Sequence, residues 1–151
     1  MTTNHTVFVL NGPNTNLYGK LDPGTYGAET YEDIVRRTIA HGEKIGLAVD
    51  VRQSNHEGVL VDWIQEAREG AAAIVMNGAG AAYVSVAIYD ALSAFAGPIV
   101  EVHMSNTAKR EPFRHRSYVG LAATGTIAGL GPLGYALALD AVKDLLAAGG
   151  R

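Results

Sequence analysis

Short apolar runs recur along the chain at Val7–Leu10, Leu47–Val51, Ala72–Met76, Ile99–Val102 and Thr126–Ala128, each flanked by Gly, Asn, Pro or Ser. Runs of this length bounded by turn residues predict five strands. Between them the apolar positions change to helical spacing. Tyr31, Ile34, Val35 and Ile39 follow a Thr30/Asp33 capping box, Leu60, Trp63, Ile64 and Ala67 form a second stripe, and a third runs through Val84, Ala87, Ile88, Ala91, Leu92 and Phe95. Gly46, Gly70 and Gly97 are read as the stops of these three helices, and a last helix is predicted from Pro132 to Ala147 with proline in its first turn. Strands alternating with helices predict an α/β domain with a five-stranded parallel sheet and helices on both faces, because a parallel crossover needs a helix-sized connection.

In such a sheet a ligand binds outside the carboxyl ends of the strands. Chemistry is therefore sought in the segments that follow them: "NGPNTN" and the loop of about residues 18–28, "RQSNHEG", "NGAGAAY", "HMSNTAKREPFRHR" and "GLGPLG". The last fits the G-x-G-x-x-G dinucleotide pattern, but that pattern needs a following strand and an acid about 20 residues on. This copy opens the last helix, so close packing and a tight turn account for its glycines better.

His103 directly follows the fourth strand, and Glu101, two residues earlier, shares its face because strand side chains repeat with period two. A carboxylate-backed histidine is a natural general acid or base near neutral pH. The backbone N–H groups around Met104 and Ser105 form a candidate anion nest. Arg110 and Arg114, four apart, would point the same way if their stretch is helical, and guanidinium forks read hydroxyls and carboxylates. Asn11, Asn14 and Asn77 each follow a strand, where an amide can bond a ligand oxygen or cap a turn.

Composition narrows the chemistry. The chain has 151 residues, room for one domain over residues 1–151, and no cysteine, which removes disulfides, thiolate nucleophiles and zinc–sulfur sites. The spacing of His5, His41, His56, His103 and His115 resembles no metal site, and no nucleophile elbow is present. A net charge of −3 without a basic run argues against nucleic acid and against an anionic membrane. The opening "MTTNHTVFVL" carries too short an apolar run for a signal peptide, so a cytoplasmic location is expected. What remains is acid–base chemistry on a small polar molecule, with no metal and no cofactor expected.

The segments "VLNGPNTNLYGKLDPGTYG", "RQSNHEGVLVDWI", "SVAIYDAL", "EVHMSNTAKREPFRHRSY" and "ATGTIAGLGPLGYALAL" together resemble the type II 3-dehydroquinate dehydratase family, in the family's order over nearly the whole chain. The resemblance implies a flavodoxin-like fold, assembly as a homododecamer of four trimers, and removal of water from 3-dehydroquinate to give 3-dehydroshikimate, in aromatic amino-acid synthesis or quinate breakdown. It implies that residues 18–28 are a lid whose Tyr26, as tyrosinate, takes the proton next to the ketone. Asn14 then helps stabilise the enolate, and His103, supported by Glu101, protonates the departing hydroxyl. Met104 and Ser105 match positions whose amides hold the substrate carboxylate. Asn77 and Arg114 match contacts to ring hydroxyls, Asp90 matches an aspartate that reaches across a subunit boundary, and Arg110 matches an arginine near the tyrosine.

Two positions depart from the family's pattern. In "KLDP" Leu21 stands where the family has an arginine that favours the ionised tyrosine, and Tyr83, in "AYVSVAI", replaces a histidine that binds a ring hydroxyl. A tyrosine of ordinary pKa costs about 4 kcal/mol to ionise at pH 7, and a close cation returns roughly one to three pKa units. Lys20 and Arg110 are the candidate replacements. The departures leave two alternatives beside the family reaction: a dehydratase or lyase on a related cyclic keto-acid, and a catalytically silent protein with a binding or assembly role.

Overall fold

The computed structural model describes residues 5–149; the domain expected over residues 1–151 extends beyond them at both ends. Five parallel strands, β1 (Thr6–Asn11), β2 (Ala48–Gln53), β3 (Ala73–Asn77), β4 (Ile99–His103) and β5 (Gly125–Ala128), form one sheet in the order β2-β1-β3-β4-β5. That order is the flavodoxin-like one, with its reversal point between β1 and β3.

The helices are α1 (Pro23–Tyr26), α2 (Tyr31–Ile45), α3 (Glu57–Gly70), α4 (Val86–Ser93), α5 (Tyr118–Ala122) and α6 (Leu133–Ala147). Alternating strand residues divide the core. Val7, Val9, Val75, Val100 and Val102 pack with α2 and α6 residues such as Ile34 and Leu139. Phe8, Leu10, Ile74, Met76 and Ile99 pack on the other face with Leu60, Ile64, Ile88, Leu92 and Val119. Period two then puts Glu101 and His103 on the Ile99 face, toward α5.

Thr30 caps α2 through the predicted box, with Thr30 Oγ1 accepting from the Asp33 N–H at 3.1 Å. Gly46 ends α2 at φ +85°, where a side chain is disfavoured. Gly70 and Gly97 have no such role. Gly70 is the last residue of α3, and α4 stops at Ser93, with Gly97 instead meeting the backbone just before β3, where a Cβ would lie 2.3 Å from the Ala72 carbonyl oxygen. The third helix also begins later than predicted. Ser85 caps it, its hydroxyl accepting from the Ile88 N–H at 3.0 Å, and Val84 is 74% exposed rather than in the core. Pro132 is the N-cap of α6 rather than its first helical residue.

Gly12 holds the reversal point closed. Its N–H donates to the Asn77 carbonyl at 2.8 Å, and a Cβ there would lie 2.3 Å from the Gly78 carbonyl oxygen. Backbone cannot yield as a side chain can. Gly12→Ala is expected to cost about 1–3 kcal/mol in a denaturant titration, the range of an overpacked site; an unchanged midpoint would show that the two loops are free to separate.

Candidate active site

The loops after β1, β3 and β4 and the segment of residues 18–28 enclose a cleft of about 130 Å³. Its lining includes Asn14, Leu21, Tyr26, Asn77, Tyr83, His103, Met104, Ser105, Arg110 and Arg114. These residues were singled out from four separate stretches of sequence, and the topology delivers them to one place. Lys20 and Asp90 are exposed and do not line the cleft. Asp90 lies on α4, outside the cleft of its own chain.

One end of the cleft is built on β4. Glu101 is 2% exposed and His103 6%. Glu101 Oε2 lies 2.9 Å from His103 Nε2, and the carboxylate also accepts hydrogen bonds from the Ser117 hydroxyl and, at 3.1 Å, from Thr126 Oγ1. Burial pushes the Glu101 carboxyl up, but the hydrogen bonds from His103, Ser117 and Thr126 outweigh it and hold the group below its ordinary value. An ionised carboxylate only accepts, so Nε2 carries the proton in this contact and Nδ1 is the nitrogen left for the cleft. Tyr83 lies against it, with its hydroxyl 3.3 Å from Nδ1 and its ring stacked at 5.8 Å and 20° on the imidazole. Burial raises the Tyr83 hydroxyl above the ordinary phenol value against the opposing pull of Arg114, whose guanidinium carbon is 5.4 Å from the ring centroid.

At the other end is Tyr26. Asp22 caps the single turn of α1, its Oδ1 accepting from the Gly24 N–H at 3.0 Å and its Oδ2 from Thr25 Oγ1 at 2.7 Å, and Pro23 fills the first helical position. The turn sets Tyr26 beside Tyr18, ring centroids 5.7 Å apart. The Arg110 guanidinium carbon is 5.3 Å from the Tyr26 ring centroid, and Arg110 Nη1 donates to Ser105 Oγ at 3.1 Å. Arg110 is thus a cation beside the ring, and Leu21, like Tyr26, packs against the core on the α2 and α6 side of the sheet.

The stretch holding Arg110 and Arg114 is not a helix. It forms two separate 3-10 turns, Thr107–Lys109 and Pro112–Arg114, because Pro112 keeps Glu111 extended at φ −61°, ψ 145°. Both arginines nevertheless reach the cleft. Asn14 sits in the left-handed region at φ 70°, and its N–H donates to Asn55 Oδ1 at 3.0 Å. The Asn77 amide already has partners in this structure: Nδ2 donates to Tyr18 Oη at 2.9 Å and Tyr135 Oη at 2.8 Å, and Oδ1 accepts from the Ala79 N–H at 3.2 Å. Tyr135 in turn donates to Asn11 Oδ1 at 2.7 Å. Asn11, which sequence offered as a ligand contact, belongs to this buried network.

Three residues of the site had no role assigned from sequence. Tyr18 is 5% exposed, with its hydroxyl pushed up to about 12, chiefly by burial. Tyr135 and Ser117 hold Asn77 and Glu101 from helices distant in sequence. Their signal was weak, a tyrosine in the lid stretch and one after the glycine pattern. Among the described residues no three His, Asp or Glu side chains gather as a metal site requires, and no helix is long and apolar enough to cross a membrane.

A phenol beside a guanidinium and a carboxylate-backed imidazole line one small cleft, so a proton can leave a bound molecule to one group and be supplied by the other. This places the chain among α/β acid–base enzymes. The comparisons give the family. Residues 5–143 match the model of dehydroquinase class II. The chain is 50% identical over 141 residues to 3-dehydroquinate dehydratase 1 of Agrobacterium fabrum, covering 93% of this chain and 97% of that one. It is 52% identical over 149 residues to the 3-dehydroquinate dehydratase of Cereibacter sphaeroides, covering 99% and 100%. The crystal structure of type II dehydroquinase from Propionibacterium acnes superposes with a TM-score of 0.91 at 42% identity, over 95% of this chain and 99% of that one. The chain belongs to the class II dehydroquinase family.

Proposed function

We propose that this chain eliminates water from 3-dehydroquinate to give 3-dehydroshikimate through an enolate, with Tyr26 as base and His103 as acid. The observation that carries the assignment is the pairing of Arg110 with Tyr26 and of Glu101 with His103 around one cleft. Tyrosinate removes the proton next to the ketone, and Asn14 lies where an amide can support the enolate oxygen. The enolate electron pair then re-forms the carbonyl and leaves an alkene as the C–O bond breaks, and the departing oxygen leaves as water with a proton supplied from His103. Met104 and Ser105 hold the substrate carboxylate. Asn77, Tyr83 and Arg114 face the ring hydroxyls, which for Asn77 means exchanging one of its tyrosine partners.

The same reading takes the whole chain as one cytoplasmic domain that self-associates, as a dodecamer of four trimers, with Asp90 serving a neighbour's cleft. Its exposure on α4, outside its own cleft, supports that role.

The test is to mix the purified protein with 3-dehydroquinate and follow the ultraviolet absorbance of the conjugated enone. Steady growth of that band is the expected result. A flat trace from folded protein overturns the substrate assignment. Faster turnover of another ring ketone would then assign the reaction to a related cyclic keto-acid, and saturable carboxylate binding with no turnover at any pH would assign a binding role. The presence of both Leu21 and Tyr83 in the cleft lining is what makes those outcomes specific.

A further inference from the structure

Glu101 occupies one nitrogen of His103 and Tyr83 the other: Nε2 lies 2.9 Å from the carboxylate, Nδ1 3.3 Å from the Tyr83 hydroxyl. A histidine that is to protonate a leaving group must show that group a ring N–H. Glu101 is buried and held by Ser117 and Thr126, so it cannot release Nε2 cheaply. Only Nδ1 is left, and the Tyr83 hydroxyl stands in front of it.

We propose that Tyr83 is a proton relay between His103 and the leaving hydroxyl, an inference that rests on the dehydration reading. In the resting site the Tyr83 hydroxyl donates to Nδ1. Once the imidazole has taken a second proton, at Nδ1, from solvent before substrate binds, Nδ1–H donates to the Tyr83 oxygen and the phenolic O–H turns to the leaving oxygen. As the C–O bond breaks, its electron pair stays on that oxygen, which takes the Tyr83 proton and departs as water. Tyr83 recovers a proton from Nδ1, so the net donor is the imidazolium and the phenol ends unchanged. Two features suit Tyr83 to this work. Stacking on the imidazole at 20° fixes its ring, and its burial keeps it a neutral phenol able to donate. The Arg114 guanidinium carbon, 5.4 Å from the ring centroid, packs on the ring as well.

The experiment uses the full chain and Tyr83→Phe, which keeps the ring stack and removes only the hydroxyl. A relay moves two protons in one step, so the solvent-isotope proton inventory of wild-type kcat is expected to be curved and that of Tyr83→Phe linear. A drop of about 10²-fold in kcat, with a smaller change in KM, is expected, because Nδ1–H must then donate to the leaving oxygen directly, in a single proton transfer. Nitrogen-15 spectra of the histidines, recorded without substrate, should show His103 as the Nε2–H tautomer, with an Nδ1 signal that shifts in Tyr83→Phe. Unchanged kcat and inventory in the variant overturn the relay, as does an Nδ1–H tautomer or an Nδ1 signal that ignores the substitution. If the wild type turns over no 3-dehydroquinate, the dehydration reading fails instead, and the imidazole spectra still decide whether Tyr83 holds Nδ1.

Discussion

Changing Tyr26 to phenylalanine, or His103 to alanine, is expected to lower kcat on 3-dehydroquinate by about 10²–10⁴-fold, the span of a lost general base or acid. Each removes one of the two groups that move a proton. Tyr26→Phe keeps the ring, its contact with Tyr18 and the cation above it, so binding should survive and KM should change little. His103→Ala also strands the buried Glu101 carboxylate, although Ser117 and Thr126 still donate to it. A fold check by thermal unfolding therefore accompanies that variant. The double variant should be little worse than the poorer single one, because groups that serve one reaction coordinate do not contribute additively. A Tyr26→Phe protein with wild-type kcat would remove the tyrosinate from the reaction and leave the site without a base.

The contrast between these residues shows what sequence can carry. Glu101 and His103 were legible as a pair because strand periodicity alone puts them on one face, and the 2.9 Å contact follows from it. The five strands were legible for the same reason: a short apolar run has few other uses in a chain that alternates with helical stripes. What lies between elements was not. The contact of Tyr83 with His103 joins a 3-10 turn after β3 to the end of β4, and no local periodicity relates them. Arg110 and Arg114 reach the cleft through two short turns set by a proline, where four-residue spacing suggested one helical face. Asn77 was legible as an amide at a strand end, but the tyrosines that occupy it arrive from residues 18 and 135. Side-chain hydrogen bonds of long sequence separation depend on the folded sheet order and leave no trace in a short window.

The same distinction decides which cation stands beside Tyr26. Sequence offered Lys20 and Arg110 as replacements for the family's lid arginine; the geometry puts Arg110 over the ring and leaves Lys20 exposed outside the cleft lining. Arg110→Met removes the guanidinium beside the Tyr26 ring and is expected to lower kcat on 3-dehydroquinate by about 10²–10³-fold, the span of one lost electrostatic stabiliser. Leu21→Arg should act in the opposite direction: it lines the same cleft, so a guanidinium there adds a second cation, raising kcat in the wild type and recovering part of the loss in Arg110→Met. Arg110 also donates to Ser105 Oγ at 3.1 Å, beside the position proposed for the substrate carboxylate. If that contact were its main task, Arg110→Met would raise KM with kcat little changed and Leu21→Arg would rescue nothing. A loss confined to KM would therefore move Arg110 from base activation to substrate binding, and would leave the missing lid charge uncompensated.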